Sequence, residues 1–159
     1  MRPSVHDVRM LSARTAVPPT TSITSTPGDA MSDGARYEQL VREFCAAWAD
    51  GDTAAIVDWF TADGIYHNIP VDPMVGHDEI AAMIDGFTAG LKVVEFKILT
   101  IASNGSTVFT ERVDIFEKED GGIVSLPVLG VFEFEGDKIA KWREYFDLGQ
   151  FMAQVMPAE

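Results

Sequence analysis

The stretch Thr110–Glu117, TERVDIFE, decides the fold class because its side chains follow the two-residue period of a β-strand. Arg112 and Asp114 therefore point to the same side of the strand, in company with Phe116. The opposite row carries two glutamates, so neither face is uniformly apolar. A strand that sets an arginine and an aspartate among apolar side chains either exposes the pair to water or buries it with partners.

Similar strand patterns flank this stretch, and helical patterns precede them. The candidate strands cover residues 64–68, 92–102, 106–117, 122–134 and 137–147, with chain reversals at Asn104–Gly105, Gly121–Gly122 and Gly136–Asp137. Apolar residues at three- and four-residue spacing predict helices over about 34–50, 53–60, 77–89 and 148–156. Helices grouped before a largely antiparallel meander predict an α+β fold rather than a Rossmann-type chain.

Composition limits the classes of partner. The chain has 159 residues, enough for one domain with a sizeable core, and 47% of them are hydrophobic. Its 12 basic and 25 acidic residues give a net charge of −13. Nucleic acid and anionic membrane surfaces are therefore poor partners. The sequence contains no apolar run approaching the roughly 20 residues of a membrane span, so no span is predicted.

The first part of the chain differs from the rest. Residues 1–33 are rich in Ser, Thr and Pro and lack a sustained apolar period, which predicts a disordered or flexible N-terminal extension. Residues 34–159 are then a single domain. The one cysteine, Cys45, excludes an internal disulfide, fits a cytoplasmic protein and lies in a helical apolar pattern typical of a packing thiol. The histidines are not at metal-ligand spacing and no glycine-rich phosphate loop is present, so we expect neither metal nor cofactor.

Polar groups on three strand segments share faces with large apolar side chains. Tyr66 and Asn68 lie on one face of the first segment, Arg112 and Asp114 on one face of the second, and Glu144 on the last. Helices packed on a curved sheet would gather these rows into one pocket. The alternative is an inert surface ion pair with a hydrogen-bonded turn, which is the commoner meaning of an Arg-x-Asp strand.

Two carboxyl groups beside an arginine have a definite chemistry. When two carboxylates are held close, one tends to keep its proton while the other stays charged. The guanidinium fixes both through its forked donors. The cavity then contains an acid and a base, which suits a reaction such as epoxide opening, where water adds as a leaving oxygen is protonated. Tyr66 and Asn68 offer donors and acceptors that could hold the water.

Four motifs, in the same order along roughly residues 35–152, resemble the limonene-1,2-epoxide hydrolase family. They are Y-x-N-x-P at Tyr66–Pro70, T-E-R-V-D at Thr110–Asp114, L-G-V-F at Leu129–Phe132 and W-R-[DE]-Y-F-D at Trp142–Asp147. The resemblance implies the cone-shaped α+β fold of nuclear transport factor 2 and ketosteroid isomerase, within the SnoaL-like superfamily. In that fold, N-terminal helices pack on a strongly curved, mixed and mostly antiparallel sheet.

The resemblance also implies an activity: cofactor-independent addition of water to a lipophilic epoxide, giving a vicinal diol without a covalent enzyme intermediate. Asp114 would be the general acid and Arg112 would lie between the carboxyls. Glu144 would be the base, at a position where the family usually has aspartate. The extra methylene moves the carboxylate by about 1 Å, which can cost on the order of 100-fold in rate. Tyr66 and Asn68 would complete the water site, and the family implies a homodimer.

Motif alignment and strand parity together predict an apolar pocket. Its expected wall residues are Cys45, Trp48, Leu91, Phe96, Phe116, Leu126, Val128, Phe146 and Phe151. Two other functions remain open at this point. The same pocket could serve another enzyme of this fold, such as a polyketide cyclase or a ketosteroid isomerase-like protein, or it could serve a non-catalytic binding protein for small ligands.

Overall fold

The computed structural model describes residues 32–156, so the predicted extension over residues 1–33 lies outside the described residues except for its last two positions. The helices are α1 (Asp33–Ala47), α2 (Thr53–Val57), α3 (His77–Thr88) and α4 (Leu148–Val155), with a 3-10 turn at Trp48–Asp50. The strands are β1 (Phe60–Asn68), β2 (Met74–Val75), β3 (Leu91–Asn104), β4 (Thr107–Lys118), β5 (Ile123–Glu135) and β6 (Lys138–Tyr145).

Side-chain caps explain where three helices begin. The Ser32 hydroxyl accepts a hydrogen bond from the Ala35 amide at the start of α1. Asp52 and Asp147 do the same at the starts of α2 and α4, at 3.0 and 2.9 Å. The predicted second helix, 53–60, is too long, because α2 ends at Val57 and the chain enters β1 at Phe60.

The six strands form one sheet in the order β2-β1-β6-β5-β4-β3. Strands β3 to β6 make the predicted antiparallel meander, whereas β1 pairs with β6 in parallel. Two of the predicted hairpins turn at Gly105 and Gly136, whose φ values of 60° and 59° favour glycine. The α+β class, with helices preceding a mixed and mostly antiparallel sheet, is confirmed. The two-residue strand β2 was not predicted.

The inner face of the sheet packs against the helices. Phe44 of α1 lies at the centre of the core and is fully buried. Its ring makes edge-to-face contacts, with centroid separations of 5.0 to 6.2 Å, to Trp48, Trp59, Phe60, Phe132 and Trp142. Such pairs each add about 0.5–1.5 kcal/mol beyond area burial. The aromatic cluster therefore fixes α1 against β5 and β6.

The structure shows which face of strand β4 is buried. Thr110, Arg112, Asp114 and Phe116 are all buried, while Phe109 on the other face is 42% exposed. The row that carries the charges is thus the inner row, so those charges need partners inside the protein.

No helix among residues 32–156 is long and apolar enough to cross a membrane.

Candidate active site

Arg112 connects two carboxyl groups from different strands. Its Nε donates to Asp114 Oδ1 and its Nη2 donates to Asp114 Oδ2, both at 2.9 Å. The same Nη2 also donates to Glu144 Oε1. The arginine side chain is 0% exposed and the two acidic side chains are 3% and 6% exposed. One guanidinium therefore holds both carboxyls in a dry environment, and the bidentate contact to Asp114 fixes its orientation.

Three aromatic rings surround the guanidinium. Its central carbon lies 5.1 Å from the ring centre of Phe96, 5.7 Å from that of Trp142 and 5.9 Å from that of Phe132. A cation over a ring face is attracted by the ring quadrupole, and the attraction grows when water is excluded. The rings therefore offset part of the cost of burying this charge.

Tyr66 and Asn68 lie beside Glu144 because β1 runs parallel to β6. The register places Asn68 opposite Glu144 and Tyr66 opposite Trp142, on whose ring it stacks at 4.2 Å. The Tyr66 hydroxyl lies 3.1 Å from Glu144 Oε2 and 3.3 Å from Asn68 Oδ1. A hydroxyl has a single proton, so Tyr66 donates to one of these oxygens at a time.

Burial changes the pKa values of the ionisable side chains around Arg112. It raises the pKa of Glu144 from its ordinary value of 4.5 to about 7, with Arg112 opposing the change and Asp114 adding to it. Burial also raises the pKa of Tyr66 well above its usual range, and the Glu144 charge acts in the same direction. Burial works to lower the pKa of Arg112, but Glu144 and Asp114 outweigh it, so that pKa is raised and Arg112 stays charged.

A cavity of about 310 Å³ opens above the cluster. Four polar side chains, Tyr66, Asn68, Asp114 and Glu144, lie in its lining together with eleven apolar ones. The apolar lining residues are Trp48, Val71, Met83, Phe87, Phe96, Phe116, Leu126, Val128, Phe146, Leu148 and Phe151. The cavity is therefore polar at one end and apolar elsewhere, the usual character of a small-molecule site.

The structure brings together the five residues predicted for catalysis and seven of the nine predicted wall residues. Cys45 and Leu91 are the exceptions. Cys45 packs in the core on α1, where burial raises the pKa of its thiol to about 12. Leu91 is the first residue of β3 and lines a shallow outer groove instead, because strand parity gives the side of a residue but not its depth along the strand.

Four further wall residues escaped the sequence analysis: Val71, Met83, Phe87 and Leu148. The apolar face of α3 already contained a signal for two of them, since Met83 and Phe87 are four residues apart and share one side of a helix. Thr110 was also missed. Its hydroxyl oxygen lies 3.4 Å from Arg112 Nη1, on the side of the guanidinium away from the carboxyls.

Two other charged residues of the W-R-[DE]-Y-F-D motif lie outside the cavity. Arg143 pairs with Glu133 on the outer face of the sheet, and Asp147 caps α4. Within residues 32–156, no group of three or more His, Cys, Asp or Glu side chains is arranged to hold a metal ion.

The family model of the limonene-1,2-epoxide hydrolase catalytic domain matches residues 35–157, which is most of the chain. This protein belongs to the limonene-1,2-epoxide hydrolase family. Among solved structures, an epoxide hydrolase from M. tuberculosis that is described as limonene-1,2-epoxide hydrolase-like is 25% identical, with a TM-score of 0.68. The match covers 78% of this chain and 92% of that one.

Other solved structures share the fold. A candidate polyketide cyclase from Xanthomonas campestris pv. campestris is 20% identical with a TM-score of 0.71, over 79% of this chain and all of the other. A Catenulispora acidiphila protein with a ketosteroid isomerase-like fold is 23% identical with a TM-score of 0.67, over 75% and 94% of the two chains. These matches confirm the predicted cone-shaped architecture of the epoxide hydrolase family.

Proposed function

We propose that this protein is a cofactor-independent epoxide hydrolase, which adds water to a lipophilic epoxide in one step and releases a vicinal diol. The observation that supports this most strongly is the sharing of Arg112 Nη2 by Asp114 and Glu144 at the polar end of an apolar cavity. An acid and a base held on one donor can act on the same small substrate without a separate intermediate.

In the proposed reaction, each proton transfer is assigned to one residue. Water held by Tyr66 and Asn68 attacks an epoxide carbon while Glu144 takes one of its protons. The carbon–oxygen bond of the epoxide breaks as Asp114 gives its proton to the ring oxygen. The carboxyl pair therefore loses one proton and gains one in each turnover, and exchange with water returns Glu144 and Asp114 to their starting protonation states before the next turnover.

The raised pKa of Glu144 supports a resting state in which the carboxyl pair holds one proton near neutral pH. When the pair loses that proton at higher pH, no acid remains to protonate the epoxide oxygen. We therefore expect turnover to fall as the pH rises above about 7.

The cavity walls favour an uncharged substrate. Among the described residues, the lining contains no cationic side chain, because Arg112 lies beneath it and is occupied by the carboxyls. A substrate carboxylate would lose its water without gaining a partner. We expect limonene oxide and the methyl ester of an epoxidised fatty acid to be hydrolysed in preference to the free epoxidised acid.

The test is a single turnover with enzyme in excess over limonene oxide in ¹⁸O water, followed by mass spectrometry of the diol. Direct attack by water puts ¹⁸O into the diol during the first turnover. An ester intermediate on a carboxylate would instead give unlabelled diol first, because the added oxygen would come from the enzyme. That second result would overturn the one-step mechanism.

Asp114→Asn is the test variant, and Asp137→Asn is its matched control. Asp137 is an exposed acidic residue that pairs with Arg36 far from the cavity. Loss of labelled diol in the first variant alone supports the proposal, and normal hydrolysis by Asp114→Asn contradicts it. Isomerisation or ring closure of a ketone without incorporated label would favour a cyclase or isomerase. Tight ligand binding without turnover across an epoxide panel would favour a binding protein.

The outer face of the sheet supports the homodimer that the family implies. Phe109, Leu129 and Tyr145 on this face are between 42% and 49% exposed, and Leu129 lies opposite Tyr145 in the register. A second copy of the chain would cover this apolar surface. Light scattering on the wild type and on Leu129→Lys tests the assembly, and a monomeric wild type would contradict it.

We also propose that the protein is located in the cytoplasm, which cell fractionation would check.

A further inference from the structure

A row of four facing residues crosses four strands beneath the site. Thr110 on β4 lies opposite Gly130 on β5, Gly130 lies opposite Glu144 on β6, and Glu144 lies opposite Asn68 on β1. Neighbouring strands are about 4.8 Å apart, so Thr110 and Glu144 are separated by roughly two strand spacings, with only Gly130 between them.

The space above Gly130 is filled by the guanidinium of Arg112. A Cβ atom at position 130 would lie 2.6 Å from Arg112 Nη1 and 2.7 Å from the Thr110 hydroxyl oxygen. Both distances are shorter than real Cβ contacts allow. The arginine has little freedom to move aside, because its Nε and Nη2 are bound to the two carboxyls.

Thr110 binds the remaining side of the same group. Thr110 is 1% exposed, and its hydroxyl accepts from Nη1, the one guanidinium nitrogen that contacts neither carboxyl. Asp114 and Glu144 thus hold Nε and Nη2, while Thr110 holds Nη1. Removing the hydroxyl would leave Nη1 in an apolar environment and free the plane of the group to tilt.

We propose that Thr110 and Gly130 are positioning residues for the acid–base pair: together they set the height and tilt of the Arg112 guanidinium, so that one nitrogen reaches both carboxyls. The catalytic consequence rests on the proposed epoxide hydrolase function. The geometric statement does not, since it concerns only the contact between Arg112 and Glu144.

A purely structural role for both residues makes a different prediction. If Thr110 only fills space, then Thr110→Val, which keeps the shape, is harmless and Thr110→Ser, which leaves a gap, is the worse change. If the hydroxyl positions Arg112, the order reverses. Thr107→Val is the matched control, because Thr107 lies on the same strand outside the cluster.

The first measurement is the pKa of the Glu144 carboxyl by ¹³C NMR titration, with the signal assigned from its loss in Glu144→Gln. The positive charge of Arg112 lowers the pKa of Glu144. We therefore expect Thr110→Val and Gly130→Ala to raise it above the wild-type value, and Thr110→Ser and Thr107→Val to leave it unchanged. This readout needs no substrate, so it tests the geometry even if the protein opens no epoxide.

The second measurement is diol formation at several substrate concentrations. We expect kcat to fall about 10-fold in Thr110→Val and on the order of 100-fold in Gly130→Ala, since a displacement near 1 Å can cost that much. KM should change little, because neither residue lines the cavity. Thr110→Ser should retain activity close to that of the wild type.

An unchanged Glu144 pKa and an unchanged kcat in Thr110→Val would overturn the proposal. So would equal losses in the Val and Ser variants. If Gly130→Ala does not fold, the Thr110 pair still decides the question. If the wild type hydrolyses no epoxide while Thr110→Val shifts the pKa, the positioning role stands and the proposed function fails.

Discussion

The two faces of the sheet contain the same kinds of charged residue in opposite situations. On the inner face Arg112 is 0% exposed and its carboxyl partners are nearly so. On the outer face Arg143 and Glu133 form an ion pair with side chains 23% and 42% exposed. Arg143 and Glu144 are adjacent in sequence, so strand alternation alone places one on the outer face and the other at the site.

The inner and outer ion pairs also differ in what they contribute to stability. An exposed ion pair contributes about 0–1 kcal/mol to stability. A buried one costs several kcal/mol in lost hydration for each ion before its attraction is counted, so burial of charge is a poor route to a stable fold. The inner cluster fits the proposed chemistry better than a stabilising role, because burial raises the pKa of Glu144 beside a cavity.

Removing each arginine tests the comparison most strongly. We expect Arg112→Met to lower the free energy of unfolding by about 3–5 kcal/mol, because it leaves two buried carboxyls without their cation. We expect Arg143→Met to lower it by no more than about 1 kcal/mol. Urea unfolding followed by circular dichroism measures both. Equal losses in the two variants would show that the inner and outer pairs are energetically alike.

The pH dependence of stability sharpens the comparison. The carboxyl pair of the folded protein holds one proton up to about pH 7, whereas Glu144 in the unfolded chain releases its proton near 4.5. Between these values the folded state binds more protons, so stability from this group is complete below about pH 4.5 and is lost as the pH rises through 7. The loss amounts to about 3 kcal/mol.

The measurement is the difference in unfolding free energy between the wild type and Glu144→Gln, from pH 4 to pH 8. We expect the wild type to lose stability relative to this variant as the pH rises. The outer-face variant Glu133→Gln is the control for the substitution itself. A constant difference for Glu144→Gln would contradict the raised pKa.

Shortening each glutamate gives the smallest effect. Glu144 reaches Arg112 with one oxygen and Tyr66 with the other, and aspartate is too short to keep both contacts from the same backbone position. We expect Glu144→Asp to slow epoxide hydrolysis on the order of 100-fold, equivalent to about 2.7 kcal/mol. Glu133→Asp should leave the rate unchanged. A faster Glu144→Asp enzyme would mean that the longer side chain hinders the reaction.

The sequence predicts the elements well because their periods are local. The helical pattern ending at Gly51 and the alternation through Arg112 and Asp114 place those segments within a few residues of their observed bounds. The parallel pairing of β1 with β6 could not be read this way, since the Tyr66 hydroxyl and Glu144 are 78 positions apart. Strand β2 is too short to show any period.

The sequence predicted less about the site than about the fold. Strand parity put Arg112 beside Asp114, and side-chain chemistry suggested that Tyr66 and Asn68 could hold a water molecule. The assignment of Asp114 as the acid and Glu144 as the base came from resemblance to a family. Gly130 matters through a side chain that it lacks, which no pattern of polar or apolar residues can reveal. Its motif, L-G-V-F, was the available signal.

The parallel contact between β1 and β6 has a consequence for how the chain matures. As the ribosome releases the chain, β3, β4 and β5 can form their local hairpins before β6 exists, whereas β1 must wait for β6. Closing such a distant contact is entropically slow. The candidate active site should therefore be assembled last, and pulsed hydrogen exchange during refolding should protect the amides of β4 before those of β1.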